Sequence, residues 1–169
     1  MTPEPARYAF VMATPLPGTV RLGVVLEAGV IASIDFLPAT APLRPARDTT
    51  AAQIELLLTD YFQKAKPLDL EVHATGTDFQ QRVWRTMLEI PVGERFSYGE
   101  LAKRLSSSPR AVAGACRANP IPLVIPCHRV VGSDGSLTGF GGGIEIKRYL
   151  LAHEKRCAPG AGRQRRGSS

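Results

Sequence analysis

The sequence predicts an α+β protein. A small N-terminal β-sheet with one helix (residues 1–74) precedes a mainly helical unit (75–155) and a short basic tail (156–169). Three observations carry this reading. Runs rich in β-branched and aliphatic residues fill the first forty positions and break at Gly/Pro clusters. From Thr49 onward, apolar residues recur at helical spacing. Helix-start signals then follow one another at Thr77, Ser97 and Ser108.

In order along the chain, Tyr8 to Ala13 is a short strand ended by Pro15-Leu16-Pro17-Gly18. Val20 to Glu27 and Val30 to Phe36 form a hairpin about Ala28-Gly29. Three prolines make 38–45 a loop, after which Thr49 to Phe62 places Ile54, Leu57, Leu58, Tyr61 and Phe62 on one helical face. Nothing in this unit looks catalytic, and His73 reads as a surface or linker residue rather than a metal ligand. Thr77 and Gln80 form a capping box that opens a helix with Phe79, Val83, Trp84, Met87 and Leu88 inward. Ser97 and Glu100 open a short second helix. Ser108 with Pro109 at the first helical position opens a third, which ends at Asn119-Pro120. The last two, joined by Ser106 to Ser108, have helix-turn-helix proportions.

The 169 residues are 44% hydrophobic and 21% charged, an ordinary globular balance with enough chain for one large or two small domains. No apolar run approaches the roughly 20 residues of a membrane span. The opening MTPEPARYAF lacks the basic end and apolar stretch of a secretory signal. Cys116, Cys127 and Cys157 are too few for a disulfide framework, and there is no CxxC for zinc, so the cytoplasm is the expected compartment. The net charge of +6 is uneven: 6 Lys/Arg against 8 Asp/Glu in 1–74, 11 against 7 in 75–155, and four arginines without an acid in 156–169. That asymmetry suggests a polyanion, most simply nucleic acid; a mildly basic surface with a solubilising, disordered tail is the plainer alternative.

The helix Pro109–Ala118 holds four alanines and a glycine, with Arg110 and Arg117 near its two ends. It displays few groups for reading base edges but allows close approach to a groove; equally, small residues permit tight packing against a core. The segment with most chemistry is Ile125-Pro126-Cys127-His128-Arg129-Val130. A free cysteine is usually a small buried hydrophobe. As a nucleophile it needs its thiolate, and a thiol of pKa about 8.5 is only a few per cent ionised near neutrality. His128 would serve through a bridging water, and Glu154, at the end of a helix from Ile144, is a candidate to fix its tautomer.

GTDFQQRVW in the 75–84 region, IPVGERFSYGELA (90–102), NPIPLVIPCHRVVG (119–132), GSLTGFGGG (135–143) and KRYLLAHE (147–154) together resemble the O6-alkylguanine-DNA alkyltransferases. The resemblance covers residues 75–154, about half the chain, in the family's order and spacing; PCHRV preceded by Asn-Pro is its most specific block. It implies a ribonuclease H-like N-terminal domain and a helix-turn-helix that binds double-stranded DNA in the minor groove. The damaged guanine would flip into a pocket and lose its alkyl group to Cys127, once per molecule and without a cofactor or metal. By the same resemblance Tyr98 donates a proton to the leaving guanine, His128 takes the thiol proton, Glu154 orients His128, and Asn119 holds the loop before Cys127. Arg110 fills the vacated stack, with Ser97, Ala111, Ala113, Gly114, Ala115 and Arg117 against DNA. Arg129, Val130, Phe140 and Gly141 line the pocket; the carbonyls of Cys127 and Val130 meet the guanine amine, and an amide near Gly141 meets O6. Cys116 and Cys157 are expected to be structural and tail cysteines. A monomer is expected, with cooperative binding along DNA left open.

The sequence departs from that pattern in a turn between Leu105 and Arg110 about two residues shorter, in Phe140 where a tyrosine often stands, and in Gly141 in place of a serine. Two other classes compete with alkyl transfer. A lesion sensor that only binds DNA leaves PCHRV, Tyr98 and Glu154 without a purpose. A cysteine hydrolase lacks an obvious oxyanion loop.

Overall fold

A computed structural model describes residues 5–158; most of the basic tail lies outside them. The first three strands form an antiparallel meander, β1 (Phe10–Ala13), β2 (Arg21–Glu27) and β3 (Val30–Leu37), in that order. At the hairpin Ala28 (φ 49°) and Gly29 (φ 79°) both sit in the left-handed region, as a two-residue turn matched to strand twist requires. One face of the sheet buries Phe10, Leu22, Val24, Ile31 and Ile34. Helix α1 (Thr49–Lys64) is capped by Asp48, whose Oδ1 accepts from the Ala51 amide at 2.8 Å, and buries Ala51, Ile54, Leu58, Tyr61 and Phe62 in the same core. The helical face is therefore narrower than the sequence pattern suggests: Leu57 is 37% exposed, one position off the stripe.

Both capping boxes form. Thr77 and Gln80 open α2 (Asp78–Leu88), and Ser97 and Glu100 open α3 (Tyr98–Arg104). Ser108 caps α4 (Pro109–Arg117) with Pro109 at its first position, where a missing N–H is harmless. In α2, Val83, Trp84 and Met87 are buried, but Leu88 is 45% exposed at the helix end. The Trp84 indole donates to the Ala115 carbonyl at 2.9 Å, and the Arg82 guanidinium donates to the Leu105 carbonyl at 3.2 Å, so α2 holds the α3–α4 pair. Helix α5 runs from Ile144 to Cys157, three residues beyond the expected end at Glu154.

Two features of this half have no sequence signature. Phe96–Ser97 (β4) pairs in parallel with Val130–Val131 (β5), and Cys127–Arg129 is a single 3-10 turn. The short ladder seats the N-terminus of α3 beside that turn. One contiguous hydrophobic core runs from Phe10 on the sheet to Leu150 on α5, joining the two halves. The sheet edge also meets the second half directly, since the Ile34 amide donates to the Pro120 carbonyl at 3.0 Å. Among the described residues no helix is long and apolar enough to cross a membrane.

Gly23 on β2 is a forced choice. A Cβ there would meet the Tyr8 ring at 2.6 Å and Leu37 Cδ1 at 2.8 Å. Alanine ordinarily favours a strand over glycine, but here overpacking dominates. Gly23→Ala should lower stability by about 1–3 kcal/mol, read as an earlier midpoint in urea; an unchanged midpoint would show that Tyr8 yields without cost.

Candidate active site

The loop from Asn119 to Pro126 is built to present Cys127. Asn119 staples it internally: its Nδ2 donates to the Ile125 carbonyl and its Oδ1 accepts from the Ile121 amide, each at 2.9 Å. Leu123 takes φ 73°, a strained backbone for a leucine, at the crest of this loop. Pro126 (φ −82°, ψ 62°) makes an inverse γ-turn closed by the Cys127 amide on the Ile125 carbonyl at 2.8 Å. The 3-10 turn then places Cys127 at a cleft and brings His128 and Arg129 together on Glu154.

Cys127 lines a cleft of about 250 Å³ with Cys116, Arg117, Asn119, Pro122, Phe140 and Gly141. The N-terminal sheet supplies the remaining wall, Ile34, Asp35 and Phe36, and the Phe36 ring meets Phe140 edge-on with centroids 5.7 Å apart. Sequence reading assigned the first half no part in the site; these three residues correct that. A larger apolar groove, about 760 Å³ between Tyr8, Leu37 and the 38–47 loop, is lined by no cysteine, histidine or carboxylate.

Behind Cys127 lies a buried relay. His128 Nε2 is 2.6 Å from Glu154 Oε1, and both side chains are wholly buried. An ionised carboxylate only accepts, so Nε2 carries the hydrogen; Nδ1 is left with its lone pair and no protein partner. Burial alone would raise the Glu154 carboxyl, but the His128 ring and the Arg129 guanidinium outweigh it and hold the group far below its ordinary range. Burial lowers His128, keeping the ring neutral. Burial likewise pushes the Cys127 thiol up, against the opposing pull of Asn119 and the Lys147 ammonium. At rest the site therefore holds a neutral thiol beside a neutral imidazole.

Tyr98 begins α3 and is pushed up to about 12 by burial and by the Cys116 and Cys127 thiols, so it carries its proton at neutral pH. Its hydroxyl donates to the Thr138 carbonyl at 3.1 Å. Lys147, which sequence reading missed, is buried on α5 and donates to the carbonyls of Val130 (2.6 Å) and Thr138 (3.1 Å), with its Nζ 5.8 Å from the Tyr98 ring centroid. A lysine at an inward helical position was the available signal. The Val130 carbonyl thus already accepts one hydrogen bond and keeps one lone pair.

Three expected site residues lie elsewhere. Val130 is wholly buried and is not among the residues that line the cleft. Arg129 does not line the cleft: it points away from Cys127, its Nε and Nη2 donating to Glu154 and its Nη1 to the Ile90 carbonyl, because the buried carboxylate demands a counter-charge. Ala115 does not face solvent, since it packs inward beneath Trp84. The outward face of α4 is Arg110 and Arg117 with the partly exposed Ala111, Ala113 and Gly114, while Ser97 Oγ is engaged in capping α3. Cys116 is buried with its Sγ 3.6 Å from Met87 Sδ, and Cys157 is exposed. His73 is exposed as expected, its amide donating to the Ile31 carbonyl. Among the described residues no group of three or more His, Cys, Asp or Glu is placed to hold a metal ion.

A cleft-lining cysteine on this scaffold accords with one class: the family described as 6-O-methylguanine DNA methyltransferase, DNA binding domain, matches residues 78–156. A methylated-DNA–protein-cysteine methyltransferase of Mycobacterium tuberculosis is 54% identical over 93 residues, 54% of this chain and 56% of that protein. The one from Mycolicibacterium paratuberculosis is 44% identical over 111 residues, 64% of this chain and 67% of that protein. The match thus spans little more than half the length of the first of these relatives. A crystal structure of the M. tuberculosis OGT in complex with DNA superposes with a TM-score of 0.75 at 39% identity, covering 88% of this chain and 93% of that one. The chain belongs to the O6-methylguanine-DNA methyltransferase family.

The buried pair sets a pH dependence of stability. The His128 value is lowered on folding, so its contribution is complete above the unfolded value of 6.5 and declines as pH falls below it. The Glu154 value is also lowered, so its contribution is lost from about 4.5 downward. Both signs agree. The melting temperature should fall in two stages on acidification below pH 6.5, and a flat profile from 6.5 to 4 would contradict the neutral-imidazole assignment.

Proposed function

We propose that the protein repairs alkylated DNA by taking the alkyl group of O6-alkylguanine onto Cys127, irreversibly, once per molecule and without a cofactor. The observation that carries this reading is a cleft-lining thiol followed in the chain by His128, whose Nδ1 has no protein partner, with Tyr98 near enough to feel the charge state of Cys127. Support comes from the relatives' names and from the M. tuberculosis relative solved with DNA.

In this reading α3 and α4 act as a helix-turn-helix on double-stranded DNA, and the N-terminal sheet and α1 form a ribonuclease H-like support. The small outward face of α4 admits close approach to the minor groove, and Arg110 fills the stack after the guanine flips out. Cys127 Sγ attacks the O6-alkyl carbon; the S–C bond forms as the C–O6 bond breaks. The thiol proton passes through one water to His128 Nδ1, and Glu154 stabilises the imidazolium. Tyr98 gives its proton to the departing guanine, since a guaninate anion is a poor leaving group, and the imidazolium's proton later makes up the loss. The product thioether is stable, which makes the transfer single-turnover. The protein acts as a monomer in the reducing cytoplasm, where the thiol persists.

Mixing the protein with a duplex containing O6-methylguanine should add one methyl to the Cys127 peptide and saturate at one per molecule, by intact mass and peptide mapping. Binding without a mass change would leave a lesion sensor. Cys127→Ser should bind and not transfer. Arg110→Ala should slow repair in duplex DNA by about tenfold or more, the unstacking cost being unmet, with little effect on the free alkylguanine base. Equal losses on both would remove the finger role. Tyr98→Phe should bind DNA normally and transfer about a hundredfold more slowly.

A further inference from the structure

Tyr61, from the N-terminal half, is assigned by the structure as a positioning residue of the Cys127 relay: we propose that its hydroxyl fixes the Glu154 oxygen that bonds His128. This rests on the functional reading above and extends it to a helix that carries no motif.

Tyr61 Oη donates to Glu154 Oε1 at 2.7 Å, the same oxygen that receives His128 Nε2 at 2.6 Å. The tyrosine is wholly buried and held from several sides. Its carbonyl accepts from the Ala65 amide and from His153 Nε2, each at 2.7 Å. Its ring meets Phe62 and His153 edge-on at 5.5 and 5.6 Å. Packing alone needs only the ring, as the neighbouring Phe62 shows; a buried hydroxyl needs a partner, and this one takes the relay carboxylate. Burial and the Glu154 charge keep the phenol protonated, so it donates throughout the neutral range.

The charged and titratable groups facing the relay are Arg129 and Cys127 on the 3-10 turn, Lys147, Tyr149 and His153 on α5, and Tyr61 itself. Glu154 Oε1 shares its electron density among Tyr61, His128 and Arg129. Each donor it satisfies makes it a weaker acceptor for the His128 N–H. Tyr61 therefore aims the carboxylate and moderates the basicity of the imidazole at once. Without the hydroxyl, His128 binds a proton more readily and withdraws it from the Cys127 thiol at lower pH.

The test is the pH profile of Cys127 alkylation by iodoacetamide in the full-length protein, with peptide mapping to separate the exposed Cys157. Tyr61→Phe keeps the ring and should move the inflection to lower pH by about half a unit or more. The His128 ring nitrogens should shift in the NMR spectrum of the same variant. A profile and ring-nitrogen shifts superimposable on the parent's, whether or not the melting temperature falls, would overturn the assignment and leave Tyr61 a packing residue. Iodoacetamide requires no DNA, so failure of methyl transfer from a duplex would count against the repair reading and not against this one.

Discussion

A single buried carboxylate organises the second half of the molecule. Glu154 receives five donors: the Tyr61 hydroxyl from α1, the Gly93 amide from the loop after α2, His128, and two nitrogens of Arg129. An ion buried without such partners costs several kcal/mol; here the partners come from three stretches of chain far apart in sequence, so the carboxylate is satisfied only when all three are docked against α5. Burial, with a smaller push from the guanidinium, keeps His128 uncharged, and its Nδ1 lone pair has no protein partner.

Lys147 is a further buried charge and works differently. No carboxylate pairs with it among the described residues; its hydrogen bonds go to two carbonyls, Val130 and Thr138. Those carbonyls bracket the loop that ends at Phe140, and Thr138 also receives the Tyr98 hydroxyl. The ammonium thus ties together β5, the 132–143 loop and the start of α3. It also opposes the rise that burial imposes on the Cys127 thiol.

Local signals in the sequence were good guides wherever one short segment settles the matter. Thr77 with Gln80, Ser97 with Glu100, and Ser108 with Pro109 each satisfy orphan amides within a few residues, so their geometry follows from composition. The pair Ala28-Gly29 is likewise self-contained. Leu57 and Leu88 went astray because hydropathy does not report where a helix's buried stripe ends. Cys127, His128, Glu154 and Tyr98 stood out through the resemblance and through their chemistry. The roles of Arg129, Lys147 and Tyr61 were illegible for a common reason: their partners lie 9 to 93 residues away. A buried polar residue has no pattern of its own until the fold brings its partner. The β4–β5 ladder is shorter than any strand that periodicity detects.

The sheet is more than a platform for α1. Its edge strand β3 hydrogen-bonds the chain at Pro120, immediately after the Asn119 staple, and sets Phe36 against Phe140 across the cleft. Gly142 allows this approach, because a Cβ there would stand 2.9 Å from the Phe140 ring and 3.0 Å from Phe36. Cleft width is therefore fixed by both halves of the chain, one holding the cysteine loop and the other the ring that faces it. With β3 on one side and Tyr61 on the other, the N-terminal half touches the cleft and the relay at separate points. A shift of the sheet and α1 against the second half would disturb thiol presentation and proton removal together. The single continuous core between the halves opposes such a shift, so a residue such as Leu58, remote from Cys127 in sequence and buried on the inner face of α1, helps to hold that geometry.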